Sequence, residues 1–271
     1  MHLKGRRYGH AGRASHANNY VLPSMPGRAC RRTQRGLQIM ACQTDKPRAT
    51  LGLMFITFTN TKGGVGKSTL AAHLAIWLLD RGYRVALLDT DPQGTSSEWL
   101  RKAEPRITVR ATSDSDAIQS ARDELMAEHD FVIADAPGEE GEAANAVTLL
   151  ADLAVLPLQP TKPDVRALKD ALKTIRLAHA VTGGKRPETI LVLNCVRKKS
   201  LRTSALRRQL DSLGIRVANA EVRRLDALAE SCDSAVTREG TAKSKEAAAD
   251  IEALFTELLG ERLTARRAAN E

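Results

Sequence analysis

From residue 54 onward, short apolar runs alternate with longer amphipathic stretches. Residues 55–59, 84–89, 107–110, 131–134, 153–158 and 190–194 read as strands, rich in Val, Ile, Leu and Phe and bounded by turn residues. Between them, residues 68–80, 113–128, 142–150 and 164–181 read as helices, followed by further helices over 203–213, 225–231 and 242–259. In the first helix Leu70, Leu74, Trp77 and Leu78 share one face, and Arg81-Gly82 supplies a left-handed stop. Strands apolar on both faces that alternate with helices predict an α/β fold: a twisted, mostly parallel sheet covered by helices on both sides. No run approaches the roughly 18 uninterrupted apolar residues of a membrane-spanning helix.

The first 53 residues break this pattern. They hold six glycines, three prolines and no sustained period of 2 or 3.6. They also carry ten basic groups against Asp45 alone, which accounts for the whole net charge of +9. Residues 1–53 are therefore expected to be a basic, disordered leader. Two readings stay open: a DNA-attracting arm, or an upstream extension of a protein whose natural start is Met40 or Met54. Residues 54–260 form the expected folded domain, and 261–271 a charged tail. Charge divides again inside the body: −7 over 54–159, +11 over 160–224 and −4 over 225–271. The four cysteines, Cys30, Cys42, Cys195 and Cys232, form no CxxC pair and stand at no zinc spacing from a His. A reduced, cytosolic protein without a metal cluster is expected, with Cys195 a small buried hydrophobe in its strand.

The most specific chemistry is Asn60-Thr61-Lys62-Gly63-Gly64-Val65-Gly66-Lys67-Ser68-Thr69, set between a strand and a helix. Successive backbone N–H groups in glycine-permitted conformations form an anion nest, and the helix start adds partial positive charge. In a phosphate loop Lys67 reaches the β- and γ-phosphates, Ser68 places its hydroxyl on Mg²⁺, and Thr69 meets the α-phosphate. The strict G-x-x-x-x-G-K-[ST] form fails, because Thr61 stands where its first glycine belongs and Lys62 is an extra lysine.

That departure resembles the deviant phosphate loop of the ParA/MinD family of ATPases, and short plasmid-type ParA proteins most of all. The resemblance covers residues 54–260 and implies a P-loop NTPase fold. It makes Lys62 a trans-acting lysine that reaches the partner's nucleotide in an ATP-bound homodimer, and Lys67 the cis one. The segment Asp89-Thr90-Asp91-Pro92-Gln93-Gly94 looks like the family's D-x-D-P-Q-G switch. By that match Asp91 positions the attacking water and Asp89 supports the magnesium shell. Residues 131–138 (FVIADAPG) resemble the Walker B strand and its turn, with Asp135 on Mg²⁺ and the Gly138 N–H toward the γ-phosphate. Asn194 resembles an adenine-edge asparagine, with a polar strand-end cap as its competing reading. Residues 160–164 resemble a loop near the base.

The resemblance also bears on the basic segment. Arg166, Lys169, Lys173 and Arg176 follow i+3/i+4 steps on one helix face. Further clusters are Arg197, Lys198, Lys199 and Arg202 with Arg207 and Arg208, then Arg216, Arg223 and Arg224. A solvated face is the plain alternative. The resemblance implies DNA contact without sequence preference, for which Arg197, Lys198, Lys199, Arg202, Arg223 and Arg224 are the candidates. Scarce aromatics favour phosphate contact over base stacking.

The resulting expectation is a cytoplasmic, nucleoid-associated ATPase for plasmid or chromosome partitioning, using ATP and Mg²⁺. A ParB-like adaptor would stimulate its hydrolysis, and no stable membrane association is expected. Three alternatives share the site: a MinD-like membrane-positioning ATPase, a conjugation-accessory ATPase and an organelle-positioning one. A redox relative like the nitrogenase iron protein is excluded, because no cysteine lies between Cys42 and Cys195.

Overall fold

The computed structural model describes residues 53–197, 201–211, 214–231 and 234–268. The expectations for the leader through residue 52, for Lys198, Lys199, Cys30, Cys42 and Cys232, and for residues 269–271 lie outside the described residues.

All the strands read from the pattern form, with ends moved by a residue or two: β1 Met54–Phe58, β2 Val85–Asp89, β3 Thr108–Ala111, β4 Phe131–Asp135, β5 Leu153–Leu158 and β6 Glu188–Leu193. A two-residue strand, β7 Arg216–Val217, joins them without a signal in the pattern. They make one seven-stranded sheet in the order β3-β2-β4-β1-β5-β6-β7, with every pairing parallel.

Alternation within the strands distributes the core. Met54, Ile56 and Phe58 of β1, with Phe131 and Ile133 of β4, pack on one face against α1 Lys67–Leu79 and α8 Ala242–Ala268. Phe55, Val132 and Ala134 face the other way, against α3 Ser115–Glu128 and α4 Glu142–Leu150. Farther along that face, Leu156 and Leu191 meet α5 Lys162–Thr182 and α6 Leu201–Asp211. Strand β3 is the exception to strands buried on both faces: it pairs only with β2 at the sheet edge and is mostly exposed.

Helix α1 differs from its expected single apolar face, since every residue from Leu70 to Leu78 is buried. The sheet covers one side and α8 another. The Trp77 ring meets the edge of Phe255 at 5.7 Å, and its Nε1–H donates to Glu252 at 2.7 Å. Gly82, at φ +83°, ends the helix as expected, and its N–H donates to the Leu79 carbonyl.

Two further differences concern the ends of elements. An unexpected helix, α2 Thr95–Ala103, buries Ser96, Ser97, Trp99 and Leu100. Helix α8 runs through the boundary expected at residue 261, because Leu263 is still buried in the core. The short helix α7 Asp226–Glu230 lies between β7 and α8, with no residue fully buried.

Candidate functional site

The loop after β1 is held from outside by amide side chains. Asn60 Nδ2 donates to the Pro157 carbonyl at 2.7 Å, and its Oδ1 accepts from the Lys62 N–H. Gln159 donates to the Gly64 carbonyl and Asn194 to the Val65 carbonyl, each at 2.7 Å. With these carbonyls drawn toward β5 and β6, the loop can turn N–H groups toward an anion. Gly64 and Gly66 adopt φ +73° and +96°. A Cβ on Gly66 would sit 2.2 Å from Asn194 Nδ2, so sterics as well as dihedral demand glycine there.

Lys67 opens α1 and is only 5% exposed. Its ammonium donates to the Lys62 carbonyl at 3.3 Å. Burial pushes its pKa down, while the charges of Asp135 and Asp91 push it back up. Gly138 closes on the loop from β4: a Cβ there would stand 3.1 Å from Gly63 Cα and 3.4 Å from Lys67 Nζ. Lys67, Ser68, Thr69, Asp91 and Gly138 line one cavity of about 610 Å³, together with Gly63, Gly64 and Gly66.

Asp135 ends β4 with no exposed surface, and neither carboxylate oxygen has a hydrogen-bond partner. Burial, and secondarily the charge of Asp89, push its pKa up to about 7. The Ser68 and Ser96 hydroxyls and Lys67 hold it partly down without satisfying either oxygen. An unpaired buried carboxylate is costly. A hard divalent cation held by Asp135 and Ser68 would remove that cost by neutralising the carboxylate. Among the described residues no cluster of three or more His, Cys, Asp or Glu could hold a metal by itself. The donor set therefore fits Mg²⁺ carried with a phosphate ligand.

Several of the expected site residues also make contacts within the fold. Asp89, expected to support the magnesium shell, stands in register beside Asp135 on the neighbouring strand and is buried. Its carboxylate accepts from the Asp91 N–H at 3.1 Å, and from the Ser96 hydroxyl and Ser97 N–H, both at 2.9 Å. It caps α2, where the helix dipole favours an anion. Asn194 lines a second cavity and also braces the loop: one amide N–H donates to the Val65 carbonyl, and its oxygen accepts from the Cys195 N–H. Cys195 lies past the end of β6, half-buried at φ +54°, rather than inside the strand.

The basic residues part company. Arg223 is held by a bidentate pair to Asp250 at 2.9 Å and by Glu246 at 3.0 Å, both from α8, so a DNA phosphate would have to compete with two carboxylates for it. Arg197 and Arg224 are exposed. Backbone pairing of Val196 with Arg223 carries both to that second cavity, of about 500 Å³, beside Thr69, Leu70, Asn194 and Leu228. Pro160 and Thr161 line this cavity too. Arg202 lies in α6. Lys169, Lys173 and Arg176 are exposed along α5, with Lys173 paired to Asp170 at 2.6 Å.

Residues that the sequence reading missed carry the loop's support. Gln159 has no motif of its own, and the bracing role of Asn60 was not legible, because each bond joins the loop to residues more than ninety positions away. Glu139 also escaped notice, although it lines the 610 Å³ cavity.

A parallel α/β sheet that presents a glycine-rich loop, a buried lysine and a strand-end aspartate at its C-terminal edge defines a P-loop nucleotide-binding protein. The chain belongs to the CobQ/CobB/MinD/ParA nucleotide-binding domain family, whose CbiA model matches residues 56–237. Over 174 residues it is 29% identical to the maintenance of carboxysome distribution protein A of Halothiobacillus neapolitanus, covering 62% of this chain and 79% of that protein. Protein virC1 of Rhizobium radiobacter is 29% identical over 131 residues, 46% of this chain and little more than half (55%) of its own length. The fold resembles apo McdA of Cyanothece, with TM-score 0.59 at 15% identity over 76% of this chain and 98% of that one. It also resembles the cell division ATPase MinD of Pyrococcus furiosus, with TM-score 0.58 at 20% identity over 76% and 99%. The family is broader than the plasmid-type branch expected from the motif.

Proposed function

We propose that this chain is an ATP-hydrolysing switch that closes as a homodimer on ATP, rides DNA through phosphate contacts, and distributes a cargo. The observation that carries the reading is the Lys62/Lys67 loop, its carbonyls held outward, facing the unpartnered Asp135. In this reading Lys67 neutralises the β- and γ-phosphates of its own subunit. Lys62 does so for the partner, which makes dimerisation depend on ATP. Ser68 and Asp135 hold Mg²⁺, which when bound neutralises phosphate charge and polarises the transferring group. Asp91 orients the attacking water and accepts its proton. Gly138 approaches the loop closely enough for its N–H to meet a γ-phosphate oxygen. Asp89 serves by shaping the 89–97 segment.

For the cargo, the relative matched over most of its length favours an assembly distributed in the manner its name gives, carboxysome distribution. Plasmid partition is the second reading, supported by 29% identity over 139 residues to a ParA protein of Rhizobium radiobacter. Exposed Lys169, Lys173, Arg176, Arg197 and Arg224 are the described residues best suited to DNA phosphates. Lys198, Lys199 and Arg202 remain candidates by sequence. An adaptor bound to the cargo would release the dimer by stimulating hydrolysis.

The test is sedimentation with a non-hydrolysable ATP analogue, followed by DNA and anionic-vesicle binding with ATP, with ADP and without nucleotide. A dimer and DNA binding are expected with the analogue or ATP only. A chain that stays monomeric at saturating analogue overturns the reading, and ATP-dependent binding to vesicles alone replaces it with membrane positioning.

A further inference from the structure

The charges around the phosphate cavity are unbalanced. Among the residues that line it, Lys67 is the cation, while Asp91 and Glu139 are anions, and Asp135 stands behind them at the sheet edge. Glu139 follows directly on Gly138, whose backbone lies against Gly63 and the Lys67 ammonium. That contact fixes the start of the segment at the cavity wall. Glu139 itself is exposed, and nothing in the anchoring of the loop uses it. Neighbouring Glu140 does not line the cavity.

We infer that Glu139 is a specificity-determining residue that disfavours the γ-phosphate in an isolated subunit, so that tight retention of ATP requires a cation from outside that subunit. The inference rests on the nucleotide-switch reading above. ATP brings more negative charge than ADP, and the added charge falls at the Gly138 end of the cavity. A fixed anion there weakens ATP more than ADP, by Coulomb repulsion that water only partly screens. A partner subunit's lysine would offset that repulsion, and a monomer has no such compensation. Glu139 thus sharpens the contrast between a loosely loaded monomer and a firmly loaded dimer.

The experiment is equilibrium displacement of a fluorescent ADP analogue by ADP and by a non-hydrolysable ATP analogue, at protein concentrations that keep the chain monomeric. Glu139→Gln should raise the preference for the triphosphate by about three- to tenfold at low salt, with ADP affinity little changed. The gain should shrink toward unity near 1 M salt, where screening is short-ranged, a trend that a merely structural change would not follow. Glu139→Asp should keep most of the wild-type ratio, and Glu140→Gln should change it less than about twofold. A Glu139→Gln ratio equal to wild type, or one raised equally at all salt concentrations, overturns the inference while leaving the switch intact. Failure of the wild-type chain to bind either nucleotide overturns the switch reading and this inference with it.

Discussion

The loop at residues 60–69 and the basic segment at 160–224 were both conspicuous in the sequence, yet only the first translates directly into one place in space. In the loop, neighbours in sequence are neighbours at the site: Gly63, Gly64 and Gly66 to Thr69 line a single cavity with Asp91 and Gly138. In the basic segment, equal charges meet different fates. Arg223 is clamped by Asp250 and Glu246, Arg207 pairs with Glu221, and Arg216 pairs with Glu188. Lys169 and Arg176 stay exposed on α5, and Arg197 and Arg224 turn to the cavity beside the loop. A phosphate loop is specified by local backbone geometry. The fate of a charge depends on which carboxylate the fold brings to it, and that partner can be anywhere in the chain.

The sharpest way to break this contrast is to damage the loop at its contact with a residue far from it in sequence. Gly66→Ala puts a Cβ into Asn194 at a left-handed φ, and should lower nucleotide affinity by about a hundredfold or more, read by fluorescent-nucleotide titration. Asn194→Ala should cost less, about tenfold, by freeing the Val65 carbonyl. An unchanged affinity in both would mean that the loop holds itself without outside support.

A second test asks whether the loop's helix is tied to distant sequence. His73 donates from Nδ1 to the Thr69 carbonyl at 2.8 Å and accepts at Nε2 from the Val236 N–H at 3.4 Å, which fixes a neutral ring. Burial pushes its pKa down to about 4, against the opposing effects of the Thr69 carbonyl and Glu239. The unfolded chain takes up this proton below about 6.5, while the native state resists until about 4. The contribution of His73 is therefore whole above pH 6.5 and is lost as pH falls toward 4, amounting to about 3 kcal/mol. Denaturant midpoints of wild type and His73→Gln, compared between pH 7 and 4.5, should converge as pH falls. Parallel curves would remove the ring from the acid response.

Two adjacent arginines give the next comparison. Arg223→Ala strands Asp250 and should cost about 1–2 kcal/mol of stability, discounted for partial exposure. Arg224→Ala should stay within about 0.5 kcal/mol while weakening DNA binding. The reverse order in thermal melts would return Arg223 to the surface.

The smallest effect expected is on salt dependence. Each lysine removed from a DNA-contacting α5 face should flatten the slope of log K against log salt by about one. Lys169→Ala is the cleanest choice, because Lys173 is shared with Asp170. An identical slope would move the DNA surface off α5.

Much of this molecule was legible from the chain alone. The apolar runs gave β1, β2, β4, β5 and β6 to within a residue or two, because strands buried on both faces have no other composition open to them. That Lys67, Ser68 and Asp91 come to one cavity was legible for a similar reason: a phosphate loop and a strand-end carboxylate occupy fixed offsets from elements that can themselves be read. Helix α2 escaped because its capping anion, Asp89, comes from the preceding strand rather than from the helix's own first residues. Tertiary structure alone decided that α1 is buried all round, that Asn194 braces the loop, that Arg223 belongs to α8 and that Glu139 faces the phosphate cavity. Those facts join residues tens to more than a hundred positions apart. Periodicity and motif spacing register what the backbone does over a few residues, whereas such contacts exist only once the sheet has closed and helices lie across it.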